Sequence, residues 1–198
     1  MYNITMNTKS YEKLASHLKV GHVYRRAMLL SSSNAVDRDL IKLVQCGVLE
    51  KVSTGLYYKP NTSRFGTLPP DNHELVKRFL GDSRFLLYSW NQYNTLGLGL
   101  TQVYNNLVVY NNKRHGMFKL GVKKFDFRRP ARGFPSKMSD EFLLVDLVNN
   151  LNELDEDTGL IKQGIKNKIL QFNQKKLGSY ASLYGKIATR KFFESINE

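Results

Sequence analysis

The 198-residue chain lacks most features of secreted and membrane proteins. It has a single cysteine, Cys46, which excludes an internal disulfide framework and any site that needs several thiolates. We predict that Cys46 is a small buried residue at a helix end. The opening residues, MYNITMNTKSYEK, lack the apolar core and cleavage site of a signal peptide, and no apolar run approaches the roughly 20 residues of a membrane span. These absences predict a cytoplasmic protein with no membrane partner.

Acidic residues are scarce relative to basic ones. The sequence has 30 Lys and Arg against 17 Asp and Glu, which gives a formal net charge of +13. The basic surplus lies in the first two thirds, because residues 1–72 carry 10 basic against 5 acidic side chains and residues 73–135 carry 11 against 3. A chain this basic attracts polyanions at long range, so nucleic acid is the expected partner.

The sequence also offers few arrangements that are typical of catalysis. None of its four histidines has the spacing of a metal ligand. Asp140, Glu141 and Asp146 are more typical of the first turns of a helix than of a metal-binding cluster. Gly97 and Gly99 lack the full dinucleotide-binding fingerprint, and no P-loop lysine follows them. We therefore predict no catalytic residue, no metal site and no cofactor.

Hydrophobic spacing in the first 47 residues predicts three helices. The first follows an N-cap at Thr8 and ends at Gly21. A short second helix is expected around Tyr24 to Leu29. The SSSN run at Ser31 to Asn34 supplies turn and N-cap chemistry for a third helix, which ends at Gly47.

A hairpin is predicted directly after the third helix. Leu49 to Val52 and Leu56 to Tyr58 alternate around a Thr-Gly turn, as paired strands should. Three helices followed by a hairpin indicate a winged helix-turn-helix, in which the third helix lies in the major groove and the hairpin contacts the backbone. The turn-rich segment NTSRFGTLPPDN predicts a linker. The predicted fold class is α+β, with a winged helix-turn-helix DNA-binding domain at residues 1–66 and a larger mixed α/β C-terminal domain at residues 67–198.

The C-terminal domain is predicted to mix strands and helices. We expect a helix at Asp71 to Leu80, a strand at Phe85 to Tyr88, a hairpin that pairs Val103 to Tyr110 with Phe118 to Arg128, and helices at Asp140 to Leu154, Leu160 to Phe172 and Ala181 to Ile196.

The predicted DNA contacts come from the third helix, the helix before it and the hairpin. Asn and Arg side chains can each make paired hydrogen bonds to base edges, and lysine or threonine side chains on a hairpin can contact phosphate or sugar. The set is Arg25, Arg26, Ser32, Ser33, Asn34, Arg38, Lys42, Lys51, Thr54 and Lys59. An N-cap followed by a solvated helix face, with ordinary surface residues around it, is the alternative interpretation.

A second basic patch lies in and before the segment FDFRRPARGF. Its residues are Lys123, Lys124, Arg128, Arg129 and Arg132. A mixture of basic and aromatic residues is typical of contacts to single strands, RNA or a second DNA surface. A solvated loop that caps a strand is the alternative.

The run SNAVDRDLIKLVQCGVLEKVSTGLYYKP, continued by RFGTLPP and YSWNQYNTLGLGLTQVYNNLVVYNN, resembles the AbiEi-like antitoxins of bacterial type IV toxin–antitoxin systems. The matching positions are Leu43, Gly47, Gly55, Tyr57 and Pro60 in the first part, and Ser89, Leu96, Gly97, Leu98, Thr101 and Gln102 in the second. The sequence departs from the family pattern at Cys46, where a lysine is usual, and at the extra Gly99. The resemblance covers roughly residues 8 to 130.

The resemblance implies a two-domain cytoplasmic protein that acts in phage defence. Its winged helix would bind double-stranded DNA at the promoter of its own operon and act as a repressor. Its C-terminal domain would counter a nucleotidyltransferase-like toxin without forming a stable complex with it. The alternative from another class is an enzyme that modifies nucleic acid or protein and uses the winged helix only as a targeting module.

Overall fold

The computed structural model describes residues 9–196, which form a mixed α+β structure. The α-helices of this part of the chain are α1 (Ser10–Ser16), α2 (Val36–Gln45), α3 (Asn72–Leu80), α4 (Asp140–Asn150), α5 (Thr158–Lys168), α6 (Gln174–Tyr184) and α7 (Ile187–Glu194). Its strands are β1 (Val23–Arg25), β2 (Glu50–Ser53), β3 (Leu56–Tyr58), β4 (Asn61–Ser63), β5 (Gly66–Leu68), β6 (Phe85–Ser89), β7 (Leu107–Asn111), β8 (Gly116–Leu120) and β9 (Lys123–Arg128). No helix among these is long and apolar enough to cross a membrane.

The chain divides into two compact units. The first contains the residues up to Ser83 together with Lys119–Lys123, and the second contains Arg84–Phe118 and the residues from Lys124 onward. The sequence places the domain boundary between residues 66 and 67, so the first compact unit is longer than the predicted domain. The added parts are residues 67–83, which include α3, and Lys119–Lys123.

The core of the first unit lies between α1, α2 and the chain that follows α2. Leu14 of α1 and Leu40 of α2 are fully buried, and Leu49 packs in the same cluster. Val36, Leu40 and Leu43 of α2 are buried and recur at helical spacing, which explains why this segment forms a helix with one apolar face.

Gly47 has φ +71, a left-handed conformation that suits glycine just after a helix. The prediction that Cys46 is buried is wrong, because this C-cap residue of α2 is exposed. The predicted N-cap Thr8 of the first helix lies outside the described residues.

A three-stranded sheet in the order β1-β3-β2 completes the first unit. The predicted hairpin is confirmed as β2 and β3, which pair antiparallel. The predicted short helix at Tyr24 to Leu29 is wrong at its start, because Val23–Arg25 forms β1 and pairs antiparallel with β3. A 3-10 helix then covers Arg26–Met28. A three-residue strand is too short to show the alternation from which strands are predicted.

The segment predicted as a linker is ordered. Asn61–Ser63 and Gly66–Leu68 form the β4–β5 hairpin, and the hydroxyl of buried Tyr58 donates to the carbonyl of Leu68 at 2.8 Å. Helix α3 follows as predicted, with the Asp71 carboxylate accepting from the backbone N–H of Glu74 at 2.8 Å. The turn-forming residues of this segment do form a hairpin turn, but their composition did not predict the paired strands on either side of it.

The second unit is built on a sheet in the order β6-β7-β9-β8. The predicted hairpin of Val103 to Tyr110 with Phe118 to Arg128 is wrong in topology. Strand β7 pairs parallel with β9 and antiparallel with β6. Gly121, at φ +61, divides the second predicted strand into β8 and β9, and that division allows β9 to lie beside β7. The turn residues Lys119–Lys123 group with the first unit, where the Gly121 N–H donates to the Val52 carbonyl at 2.8 Å.

Helix α4 is the central element of the second unit. Residues 142–147 of this helix are all buried, and they pack with residues of β6, β7, α5 and α6. A helix that is apolar nearly all round is a core helix, which is why its sequence shows no amphipathic stripe. The predicted helices at Asp140 to Leu154 and Leu160 to Phe172 are confirmed in position and end in short 3-10 turns. The third predicted helix is two helices, α6 and α7, separated at Gly185.

The carboxylate of Asp146 joins three elements of this core. It is 1% exposed, and its Oδ2 accepts from the hydroxyls of Tyr88 on β6 and Tyr93. Its Oδ1 accepts from the hydroxyl of Tyr110 on β7 at 2.7 Å. The amide of Asn150 donates to the hydroxyls of Tyr93 and Tyr110 at 3.3 and 3.2 Å. A buried polar group is tolerated only when it is hydrogen-bonded, and this cluster satisfies the carboxylate with neutral donors.

Burial dominates the titration of this cluster. It raises the pKa of Asp146 above the usual range of a carboxyl, although the three tyrosine hydroxyls act in the opposite direction. Burial, followed by the nearby carboxylate, also raises the pKa values of Tyr88, Tyr93 and Tyr110. The hydroxyls therefore stay protonated at neutral pH and remain donors.

We expect Tyr110→Phe to lower the free energy of unfolding by about 1–3 kcal/mol, because it leaves one buried carboxylate oxygen without a donor. Tyr184→Phe is the matched control, since Tyr184 packs on Phe142 but its hydroxyl forms no hydrogen bond among the described residues. Urea denaturation followed by circular dichroism measures both. Equal midpoints for the two variants would contradict a structural role for the cluster.

Candidate nucleic-acid interface

Helix α2 presents an exposed polar face opposite its apolar one. Arg38 and Lys42 lie four residues apart, so they share that face, and both are exposed. The side chain of Arg38 is 78% exposed, and its closest charged partner is Asp39 at 3.9 Å, too far for a hydrogen bond. Asn34, just before the helix, is exposed as well. Both basic side chains are therefore available to an external partner.

Two residues of this face were missed in the sequence. Ile41 is 59% exposed and Gln45 is exposed, and both lie near Lys42. Ile41 departs from the apolar spacing set by Leu40 and Leu43, and that departure was the signal that could have identified it. An apolar side chain can contact the methyl group of thymine, and a glutamine amide can pair with adenine.

A buried acid fixes the start of α2. Asp39 is 2% exposed, and its Oδ2 accepts from the hydroxyl of Ser33 at 2.6 Å and from that of Ser10 on α1. The Ser33 hydroxyl also accepts from the N–H of Ala35 at 3.0 Å. Ser33 therefore holds the turn before α2, and its hydroxyl is not available for the DNA contact predicted from the sequence. Ser32 ends a 3-10 helix and is half-buried.

Arg26 also has an internal partner. Its Nε and Nη2 donate to the two carboxylate oxygens of Asp37 at 2.5 and 2.6 Å, in the paired geometry that favours arginine. The hydrogen bond with Arg26 holds the pKa of Asp37 below its usual range. The backbone N–H of Arg26 donates to Gly55 in the β2–β3 turn at 2.9 Å. Arg26 thus ties the hairpin turn to the first turn of α2.

The hairpin residues divide into exposed and internal side chains. Lys51 and Thr54 are exposed. The Nζ of Lys59 donates to the carbonyls of Ala15 and Leu18 at 3.1 and 2.8 Å, at the end of α1. A cation there satisfies helix carbonyls that lack an intrahelical partner. The predicted phosphate contact through Lys59 is therefore replaced by a structural role.

An open cleft of about 500 Å³ lies at the start of α2. It is lined by Arg26, Leu30, Ser33, Asn34, Ala35, Val36, Asp37 and Arg38. The cleft brings together four of the residues that the sequence marks as DNA contacts. Within residues 9–196, no group of three or more His, Cys, Asp or Glu side chains is placed to hold a metal ion.

The second basic patch does not form one free surface. Arg128 donates to Asp126 and Glu153 at 2.6 and 2.8 Å, and its guanidinium lies 4.9 Å from the centre of the Trp90 ring. Arg132 donates to the carbonyls of Ser182 and Leu183 at 2.6 and 3.1 Å. These two side chains are used within the second unit.

The lysines of the patch divide between the two units. Lys123 belongs to the first, where it donates to Asn72 at 3.0 Å. Lys124 and Arg129 are exposed members of the second unit. Of the five residues predicted to form a second nucleic-acid surface, these two exposed side chains remain candidates for that contact.

A scan against models of protein families finds no family that matches the chain, and a search of curated protein sequences finds no significant match.

Lys51 and Lys59 are expected to respond differently to the same change. Lys59→Ala should lower the free energy of unfolding by roughly 1–2 kcal/mol, because two helix carbonyls lose a charged donor. Lys51→Ala should leave stability unchanged and reduce the slope of log affinity for duplex DNA against log salt by about 0.9, the effect of one lost phosphate contact. Thermal melts and fluorescence anisotropy measure the two quantities. A reduced salt slope for both variants would show that Lys59 leaves α1 to reach DNA.

Proposed function

We propose that the protein is a DNA-binding antitoxin of an AbiE-like type IV toxin–antitoxin system. Its first unit acts as a winged helix-turn-helix that represses its own operon in the cytoplasm. Its second domain counters a nucleotidyltransferase-like toxin without forming a stable complex. The DNA-binding part rests on geometry and charge, and the antitoxin part rests on the sequence resemblance.

One observation carries the DNA-binding part of the proposal. Helix α2 holds Arg38 and Lys42 exposed on one face, beside a hairpin whose turn carries Thr54. The backbone contact of Arg26 with Gly55 and its ion pair with Asp37 connect this turn to the start of α2. A winged helix reads bases with such a helix and contacts the backbone with such a hairpin. The net charge of +13 adds long-range attraction to DNA.

The role of each group follows from its position. Arg38 and Asn34 are the candidates for base edges, because they lie at the start of α2, where a recognition helix enters the groove. Lys42 and Lys51 are candidates for phosphate. Ile41 is a candidate for a thymine methyl group.

The antitoxin part draws on the second segment of the resemblance. The matched Gly97, at φ +64, ends the 3-10 helix Trp90–Leu96, so the glycine has a conformational reason to be there. The backbone N–H groups of the matched Thr101 and Gln102 both donate to Glu156, at 2.8 and 2.9 Å. These contacts give the matched positions a structural role in the second unit. How that unit would counter a toxin rests on the resemblance alone.

Arg38→Ala should cost about 1–3 kcal/mol of binding free energy on the promoter duplex and much less on a random duplex. The difference is expected because Arg38 can contact its preferred base only in the promoter duplex, so only that duplex loses a base contact when Arg38 is replaced. Arg64→Ala is the control. Arg64 is an exposed arginine of the β4–β5 turn, so its replacement removes the same charge from a different part of the first unit. Anisotropy titrations on both duplexes measure the effect. Equal losses on both duplexes would make Arg38 a phosphate contact, and no loss on either would remove α2 from the interface.

Neutralisation of the toxin should be independent of DNA binding. We expect the Arg38→Ala protein, expressed from a foreign promoter beside the nucleotidyltransferase-like toxin of its operon, to restore growth as well as the parent protein. The reason is that the substitution alters an exposed side chain of the first unit only. Growth and protein level are measured together. Failure of the parent protein to restore growth would contradict the antitoxin assignment while leaving DNA binding in place.

A further inference from the structure

Helix α3 runs beside β1 and brings its C-terminal end to one end of the first sheet. Near its start, Glu74 accepts from the backbone N–H of Val23 at 3.4 Å. At its end, Gly81 lies against the guanidinium of Arg25. Arg25 pairs with Leu56, next to the β2–β3 turn. The end of α3 therefore lies at the same end of the sheet as the hairpin turn.

An open cleft of about 490 Å³ lies at this end of α3 within the first unit. Its lining is Arg25, Met28, Lys77, Arg78, Gly81, Asp82 and Ser83. Three of these residues are cationic and one is acidic. A cleft lined mainly by one sign of charge concentrates ions of the other sign.

The guanidinium of Arg78 has no strong hydrogen-bond acceptor among residues 9–196. Its Nε is buried without a hydrogen-bond partner, and its Nη1 contacts only the weak acceptor Sδ of Met28 at 3.5 Å. Its Nη2 lies 3.7 Å from Glu74, which also interacts with His22 at 3.3 Å. A guanidinium that keeps unused donors in a cleft is suited to an oxyanion.

Arg25 and Lys77 extend the same site. An added Cβ at Gly81 would lie 2.0 Å from Nη1 of Arg25, so the absence of a side chain at Gly81 makes room for that guanidinium. Gly81 has φ +61 and forms the left-handed cap of α3. Lys77 is exposed and lies in the last turn of α3. The cleft thus combines two guanidinium groups and one ammonium group with the carboxylate of Asp82.

We propose that this cleft binds a phosphate group of a nucleic-acid backbone. The inference rests on the proposed function, because the phosphate is taken to belong to DNA. It adds α3 to the proposed DNA-binding surface. Phosphate accepts from several N–H donors at once, which matches the weakly engaged Nη1 and Nη2 groups of Arg78 and the adjacent guanidinium of Arg25. The position at the hairpin-turn end of the sheet favours a phosphodiester over a small free ligand, because the neighbouring turn is where a winged helix meets the backbone.

The test compares Lys77→Ala and Arg78→Gln with Lys19→Ala in the full chain. Lys19 is exposed in the same unit but precedes the opposite end of β1, so its variant removes the same charge away from the cleft. Affinity for a random duplex and for the promoter duplex is measured by anisotropy at several salt concentrations. Lys77→Ala and Arg78→Gln should each reduce the salt slope by about 0.9 and weaken both duplexes by the same factor. Lys19→Ala should leave the slope unchanged.

The outcomes separate this inference from the proposed function. If Arg38→Ala relaxes discrimination while both cleft variants behave as Lys19→Ala does, the cleft inference is overturned and the function of α2 stands. If the cleft variants reduce the slope while Arg38→Ala changes nothing, the cleft stands and the assignment of α2 fails. If the parent protein binds no duplex, both are overturned. Since Lys77 is exposed, its variant keeps the result interpretable even if Arg78→Gln unfolds.

A second arm distinguishes the source of the phosphate. Inorganic phosphate and chloride are compared at equal ionic strength for their effect on the melting temperature of the parent and Lys77→Ala proteins. A rise with phosphate that is lost in Lys77→Ala, without any change in duplex binding, would assign the cleft to a free phosphate compound. That result would overturn the nucleic-acid backbone as its ligand.

Discussion

The carboxylate of Asp39 is the contact on which the geometry of the first unit depends. The N-cap residue of α2 is Ala35, which makes no side-chain capping hydrogen bond, so the orientation of the helix must be set in another way. The buried Asp39 accepts from Ser10 on α1 and from Ser33 in the preceding turn, and these bonds join three segments at one point. Because a buried carboxylate without donors would be costly, the three segments can hardly move apart separately. The exposed side chains of α2 therefore project from a fixed base.

Asp39 and Asp146, the two buried acids among residues 9–196, respond to pH in opposite directions. Burial opposes ionisation of Asp39, but its serine donors and Arg38 outweigh burial and hold its pKa below the usual value. Its contribution to stability is therefore present above the ordinary carboxyl pKa and is lost as the pH falls through the lowered value. Burial raises the pKa of Asp146, so the folded state favours its protonated form. Its contribution falls as the pH rises from the ordinary carboxyl pKa through the raised one.

Elements with a clear local sequence pattern were predicted correctly, whereas features that depend on contacts with residues distant in the sequence were missed. Helix α2 and the β2–β3 hairpin follow from local periodicity and a glycine turn. The parallel pairing of β7 with β9 could not be predicted, because the local sequence pattern of a strand does not determine which other strand it pairs with. The exposed spacing of Arg38 and Lys42 was predictable for the same local reason. The internal role of Lys59 was not, because its carbonyl partners are more than 40 residues away in the sequence.

Net charge and available charge are different quantities in this protein. Every cation contributes to long-range attraction, but only a side chain with free donors can make a close contact with phosphate or a base. Arg26 is the clearest case, because its Nε and Nη2 both donate to the carboxylate of Asp37. This acid suits the first turn of α2, where the helix dipole favours a negative charge. Left alone, Asp37 would repel a nearby phosphate, so the neutralising arginine allows the helix to keep its acid at the surface that we propose for DNA binding. In the proposed complex, Arg26 would act through its neutralisation of Asp37 and through the position of the hairpin turn, which its backbone N–H fixes.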